Sequence, residues 1–362
     1  MAGPEPCRLS VGHPSVNPLS SQSDGTGVVP PADPFVSLVL TGRNDDHGAD
    51  FKARFFRTLR FNHRELSARG ILHEFVFVEW APLSDRARLV DMVFNAIPEL
   101  DPSVCQWYVV DPRYQQELSL NPRLVYLEFL AKNVGVRRAR GRFVLTTNCD
   151  VYLGRKVLDA FARGELKSGV VYRAARHDLK LELGEVILDW PQLEDPLNLD
   201  GPPRRLKPPF MTGATGDFVL LDRMTFHEIR GFNEIYRVAR IGVDGNFIVK
   251  ALSCGVPVVD IGGPVYHVNH RDSYHLSRDV YVGREAEAPW GNRRWHSAGV
   301  IYVNPPTWGL SHAPVRQEGP HRWRVDFSWD AVPPLVDLKR IVLPAARLGG
   351  PEPGTYKYVS RS

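Results

Sequence analysis

Between Phe35 and Asp150 the sequence alternates short apolar runs with helical patterns, and each apolar run ends in polar residues. Phe35-Val-Ser-Leu-Val-Leu40 is a buried-strand run followed by the polar loop Thr41-Gly-Arg-Asn-Asp-Asp46. Phe51, Phe55, Leu59 and Leu66 then fall on one face of a helix predicted over 49–68, with Gly70 as its stop. His73 to Trp80 reads as the next strand, and Ser84 is expected to cap a helix through Leu89, Val90 and Val93. Gln106 to Val110 is the third strand. Asn121-Pro122 opens a helix whose stripe is Leu124, Leu127, Ala131 and Val134 and which stops by Gly141. Arg142 to Thr147 is the fourth strand, ending in Asn148-Cys149-Asp150. Such alternation predicts an α/β fold, a mostly parallel sheet with helices on both faces. Ligands of these sheets bind beyond the carboxyl ends of the strands, where Thr41 to Asp46, Glu79-Trp80, Asp111 and Asn148 to Asp150 all stand.

The second half is less regular. Asp178 to Pro209 reads as a surface excursion, Gly216 to Leu221 as a strand, Met224 to Arg230 and Asp244 to Cys254 as helices. Val256 to Ile261 and Pro264 to Val268 read as two further strands, and the region after Tyr281 as irregular. The expected organisation is a disordered leader over 1–34, a main domain over 35–275, an irregular extension packing on it over 276–348, and a flexible tail over 349–362. The leader is rich in Pro, Gly and Ser and lacks the basic start and apolar core of a secretory signal. No stretch approaches the roughly 18 apolar residues of a spanning helix, so no transmembrane segment is expected. The four cysteines have no metal-site spacing, which suits a reducing compartment. The expected location is therefore the cytoplasm, or the periphery of a membrane. A net charge of +4 suits an anionic ligand but is too slight for a nucleic-acid partner.

Five clusters can carry chemistry. In Thr41 to Asp46, carboxylates such as Asp45 can hold a ribose while Arg43 faces phosphate, although a solvated turn has the same composition. The loop is neither GxGxxG nor GxxxxGK[ST], which excludes the dinucleotide fingerprint and the P-loop. Asp150, just past a buried strand, is placed to hold Mg2+ or Mn2+ against a diphosphate, or to cap the next turn. In Pro264 to His270 the two-residue period puts His267 and Asn269 on one side and His270 on the other, and an imidazole there suits manganese. Asp244 stands at a helix start, where it can act as a general base or as a plain N-cap. In Thr212 to Asp217 two glycines permit close approach, and Gly216 and Asp217 are candidates to meet donor sugar or acceptor.

These residues together have a family likeness. Lys132-Asn133-Val-Gly-Val-Arg-Arg138, then Ala139-Arg-Gly-Arg-Phe-Val-Leu-Thr-Thr-Asn-Cys-Asp150, resembles the N-x-G, A-x-G, D-x-D stretch of GT-A fold glycosyltransferases, nearest to the family-2-like group. Gly216 to Arg223 with Gly231-Phe-Asn-Glu234 is similar to their acceptor-side strand and turn. The likeness covers about 34–272. It implies a nucleotide-sugar donor, UDP by analogy, and a glycan, lipid-linked or small-molecule acceptor. It implies nucleotide or donor contacts from Thr41, Arg43, Asp45, Glu79, Asn133, Arg137 and Asn148, and a Mn2+ or Mg2+ ion on Asp150 and His267. It also implies inversion with Asp244 as base. Two departures stand out: Asn148 replaces the first acid of D-x-D, and Gly245 stands where many members carry a second acid. The alternatives are a non-catalytic nucleotide- or glycan-binding protein on this scaffold, kept open by Asn148, and a sugar nucleotidyltransferase, which would want a glycine-rich loop after the first strand.

Overall fold

The computed structural model describes residues 33–45, 48–120, 124–180, 188–208, 210–237, 242–270 and 302–333. The leader up to residue 32, Asp46, Asn121-Pro122, Arg271-Asp272 and the tail lie outside them.

The first half follows the expected alternation. Strand β1 is Val36–Gly42, helix α1 Phe51–Ala68, β2 His73–Trp80, α2 Leu89–Ala96 and β3 Cys105–Val110. Then come α3 Arg113–Leu118, α4 Glu128–Arg138 and β4 Phe143–Thr146. The second half supplies β5 Val151–Leu153, α5 Arg155–Ala162, β6 Val171–Asp178, α6 Trp190–Glu194 and β7 Val219–Asp222. It ends with α7 Arg223–Ile229, α8 Val243–Ser253, β8 Val258–His267, β9 Val315–Gly319 and β10 Arg322–Val325.

All the strands form one sheet in the order β5-β8-β6-β7-β4-β1-β2-β3-β10-β9. Strands β1, β2, β3, β4, β6, β8 and β10 run one way, and β5, β7 and β9 run against them. The carboxyl ends of the parallel set therefore share one edge. Alternation along β1 feeds two cores: Leu38 and Leu40 pack with Phe55, Leu59 and Phe77 on one face, and Val39 with Phe129 and Val136 of α4 on the other. Helix α4 presses close because position 135 is glycine. A Cβ there would lie 2.5 Å from Val39 Cγ1, so Gly135 permits this close contact.

Several boundaries differ from the sequence reading. Thr41 and Gly42 belong to β1, where they pair with Val78 and Glu79 of β2. Helix α2 starts at Leu89 with no side-chain cap from Ser84; the buried Glu79 carboxylate accepts from Leu89 N instead. The two strands expected over 256–268 are one strand, β8, irregular in register around Gly262, whose φ is +87°. The excursion expected from Asp178 begins only after it, since β6 runs through Asp178. The C-terminal region also carries a hairpin: β10 pairs in parallel with β3 and extends the sheet, and Trp308 is buried beside α4 and α7. Its pattern is short, and Arg, Gln and Glu alternate on an edge where period-two burial is weak. None of the helices among the described residues is long and apolar enough to cross a membrane.

Candidate functional site

Strands β4, β6 and β8 deliver the site. Asp150 lies four residues past the end of β4, Asp178 closes β6 and His267 closes β8. Because the strand ends at His267, the next residues leave the pleat and the two-residue period no longer separates the histidines. His270 turns back onto the same side as His267. The ligand atoms of Asp150, His267 and His270 all lie within 4.8 Å of one another. Asp150 Oδ1 is 3.7 Å from His267 Nε2, and Asp150 Oδ2 is 3.5 Å from His270 Nε2 and 3.6 Å from Arg54 Nε. The arrangement fits a metal ion on three counts. Asp150 Oδ1 is buried without a hydrogen-bond partner. The donor set of one carboxylate and two imidazoles is that of a transition-metal site. Asp178 Oδ1 also accepts from His267 Nδ1 at 2.9 Å, which fixes the ring with Nε2 facing Asp150. Burial works against the charge on Asp150, yet His267, His270, Arg54 and Arg176 outweigh it and hold the carboxyl below its ordinary value. At Asp178 burial is outweighed by the His267 hydrogen bond and Arg176, and its carboxyl falls well below the usual range.

A second group adjoins the first. Lys132 of α4 is fully buried, and its Nζ donates to Glu128 Oε1 (2.9 Å), Asn148 Oδ1 (2.8 Å) and Gly216 O (2.9 Å). Gly216 N donates to Asp244 Oδ2 at 2.8 Å. Burial raises the Asp244 carboxyl above its ordinary value, against the pull of the Gly245 N–H and Lys132. Asp244 is not the N-cap of α8, which is Gly242 with a left-handed backbone. A Cβ on Gly216 would stand 3.5 Å from Asp244 Oδ2, 3.8 Å from Asn148 Nδ2 and 4.0 Å from Lys132 Nζ. The missing side chain therefore leaves a space bounded by an acid, an amide and an ammonium. The loop before it is clamped by Arg173, wholly buried, whose guanidinium donates to the carbonyls of Met211, Gly213 and Thr215. Burial lowers its pKa to about 10.

The remaining candidates fall elsewhere. Asp217 is buried beside this group but committed: Oδ1 accepts from Asn148 Nδ2 (2.7 Å) and Oδ2 from Arg176 Nη1 (2.9 Å). Asn133 is a correction. Its amide is buried between α4 and the Gly231 turn, donating to Phe232 O and Glu234 Oε1 and accepting from Phe232 N. Arg137 is another: α4 runs against the parallel strands, so its last turn lies at the opposite edge of the sheet, where Arg137 stacks 5.0 Å over Trp308. Glu79 Oε1 caps α2 while its Oε2 is buried without a hydrogen-bond partner, and burial raises its pKa to about 7. Thr41 is buried in β1 and its carbonyl accepts from the Cys149 thiol. Arg43 donates to Val125 O and pairs with Asp45 at 3.6 Å. Sequence reasoning does not single out Glu128, Lys132, Arg173, Arg176, Asp178 or His270. A buried Lys or Arg reads as surface charge in a sequence, and only the i,i+4 spacing of Glu128 and Lys132 offers a signal.

The architecture is a mostly parallel α/β sheet of ten strands. No protein-family model matches the sequence, and no curated protein matches it. Solved structures with a similar fold include the mannosyltransferase PcManGT from Pyrobaculum calidifontis, in complex with GDP-Man and Mn2+. That match has 16% identity, covers 78% of this chain and 69% of that one, and has a TM-score of 0.43. Another is the catalytic domain of Drosophila β1,4-galactosyltransferase 7 in complex with xylobiose, at 13% identity, 82% and 96% coverage and a TM-score of 0.41. A third is described as a glucose-1-phosphate thymidylyltransferase from Bacillus anthracis in complex with sucrose, at 11% identity, 69% and 95% coverage and a TM-score of 0.35. At such identities and TM-scores the likeness assigns neither ligand nor chemistry to this chain.

Proposed function

We propose that the chain is a metal-assisted glycosyltransferase that moves a sugar from a nucleoside diphosphate, UDP first among the candidates, to an acceptor hydroxyl. The observation that carries this reading is the convergence of Asp150, His267 and His270 at the carboxyl ends of β4 and β8, with Asp178 orienting His267. These residues would hold Mn2+ or Mg2+, which when bound neutralises charge on a departing diphosphate. Two imidazoles in the donor set favour Mn2+ over Mg2+. Among the described residues Cys105 and Cys149 are buried and form no disulfide, which agrees with a reducing compartment, the cytoplasm or a membrane surface facing it.

The chain's own groups supply the rest. Asp244, with its carboxylate set by the Gly216 N–H and its pKa raised by burial, accepts the proton of the acceptor hydroxyl. The acceptor oxygen bonds to the anomeric carbon as the bond from that carbon to the diphosphate oxygen breaks, with inversion, and the nucleoside diphosphate leaves. The gap over Gly216 is where the sugar meets Asp244, with Asn148 and Lys132 held behind it. The acceptor is a glycan, a lipid-linked sugar or a small molecule.

The test is a thermal-shift screen of UDP, GDP, CDP and dTDP with and without Mn2+, followed by assay of UDP-sugar hydrolysis. A ligand bound only by the folded state raises the melting temperature by mass action. Stabilisation by one nucleotide, dependent on Mn2+, and release of free sugar are expected. No nucleotide effect with or without metal overturns the reading. Binding without hydrolysis reduces the protein to a nucleotide-binding scaffold.

A further inference from the structure

Asn148 occupies the place of an acid, and its partners explain why. An ammonium can only donate and a carboxylate can only accept. Between Lys132 Nζ at 2.8 Å and Asp217 Oδ1 at 2.7 Å, the side chain at 148 must therefore accept on one side and donate on the other. A carboxamide does both without a proton that titrates. The row continues on both sides. Glu128 Oε1 lies behind Lys132 at 2.9 Å. Beyond Asp217, Arg176 Nη1 donates to Asp217 Oδ2 (2.9 Å) and its Nη2 lies 2.7 Å from Asp178 Oδ1, the oxygen that also accepts from His267 Nδ1 (2.9 Å). Donor and acceptor alternate along the whole row, and Asn148 is its only neutral member before the histidine. Burial leaves little water to substitute for a lost partner at Lys132, Asp217 and His267, which are 0%, 2% and 6% exposed, while Asn148, Arg176 and Asp178 are half-buried.

We infer that Asn148 is a positioning residue that joins the Lys132–Gly216–Asp244 side of the site to the His267 side, and that it is not a vacated metal ligand. The inference rests on the metal reading of Asp150, His267 and His270. A carboxylate placed at 148 would face the Asp217 carboxylate at hydrogen-bond distance with no donor between them, so it would disorder the row rather than add a ligand. Exchanging amide and acid restores the alternation. A carboxylate at 148 accepts from Lys132 and from the new amide at 217, whose oxygen accepts from Arg176.

The experiment uses the full chain as Asn148→Asp, Asp217→Asn and the double variant Asn148→Asp/Asp217→Asn, with Asp150→Ala as control. Melting temperature and Mn2+ affinity, titrated with the metal alone, are measured on each. Asn148→Asp is expected to melt lower than the wild type and to bind Mn2+ about 3–10-fold more weakly, below the range of a direct outer partner of a ligand. The double variant is expected to recover both. A rise in Mn2+ affinity in Asn148→Asp overturns the inference, because it marks position 148 as an open ligand place. A double variant no better than the worse single variant overturns it too, because the row is then not a unit. If Asp150→Ala leaves Mn2+ affinity unchanged, it is the metal reading that fails. The melting-temperature rescue then decides on the row alone, where no rescue rejects it.

Discussion

The two halves of the edge that carries the carboxyl ends of the parallel strands look alike in sequence and behave differently in the fold. At the ends of β1 and β2 stand Thr41, Arg43, Asn44, Asp45 and Glu79; beyond β4, β6 and β8 stand Asn148, Asp150, Asp178 and His267. The first set is largely consumed by architecture. Asn44 donates to the carbonyls of Leu83 and Arg86 and accepts from Leu83 N, tying β1 to the loop before α2. Glu79 caps α2, and Arg43 donates to Val125 O. In the second set the groups face one another, with the ligand atoms of Asp150, His267 and His270 within 4.8 Å, whereas a buried oxygen without a hydrogen-bond partner occurs in both sets, at Asp150 Oδ1 and at Asp45 Oδ1 and Glu79 Oε2. Unspent capacity therefore does not separate the two sets, although buried polar atoms are nearly always satisfied in a folded chain; convergence of several ligand atoms on one point does. A strand-end address alone does not.

That contrast can be broken by mutation. The largest effect is expected at Asp150→Ala, which removes the sole carboxylate of the His267–His270 cluster. Calorimetry should show Mn2+ affinity falling by at least ~100-fold, more than an outer partner is worth, with the fold intact by circular dichroism. Unchanged affinity would move the metal elsewhere. Next is Asp244→Asn. It keeps the acceptor oxygen for Gly216 N but loses basicity, so turnover at saturating donor should fall ~100-fold or more while donor affinity holds. Near-normal turnover would leave Asp244 as a loop anchor. Third is Gly216→Ala. Its φ lies outside the left-handed region and the added methyl meets neighbours at 3.5–4.0 Å, ordinary contact distances. The variant should therefore melt like the wild type and yet lose ~10-fold in donor affinity, the order of one displaced hydrogen-bonded contact in a binding site. Donor affinity equal to wild type would show that the gap over Gly216 is not used.

What is legible in the sequence depends on which interactions are local. The strands of the first half announce themselves through apolar runs, and their parallel direction follows from alternation of strand and helix. Asp150, Asp244 and His267 are visible because a strand end or helix start is a local property. The period of two puts His270 on the wrong side because it does not hold past His267, where the strand stops. Resemblance places Asn133 and Arg137 at the diphosphate. Hydrogen bonds to Phe232 and Glu234 decide otherwise for Asn133, and the direction of α4 does so for Arg137, sending its last turn to the far edge. Lys132, Arg173 and Arg176 escape a sequence reading because their burial depends on partners far along the chain, 16 to 84 residues away for Asn148 and Gly216 at Lys132. No window of sequence contains that information.

The smallest expected effect on chemistry, and the sharpest on stability, comes from the other half of the comparison. Glu79 is 1% exposed, and burial raises its pKa from 4.5 to about 7 against the opposing hydrogen bond from Leu89 N and the charge of Arg88. A carboxyl whose folded pKa lies above its unfolded one binds more protons when folded. Its contribution is complete below about pH 4.5 and is lost as pH rises through 7. Glu79→Gln keeps the acceptor for Leu89 N and removes the charge. Against the wild type, the variant should be equally stable near pH 4.5 and more stable at pH 8, by up to about 3 kcal/mol, since each tenfold change in proton affinity is worth ~1.36 kcal/mol. Urea denaturation at both pH values measures the difference, and turnover at pH 7 should match the wild type. A stability difference that does not grow with pH would mean that Glu79 carries its charge at little cost. A loss of donor affinity in the variant would return Glu79 to the ligand-binding set and erase the distinction between the two halves of the edge.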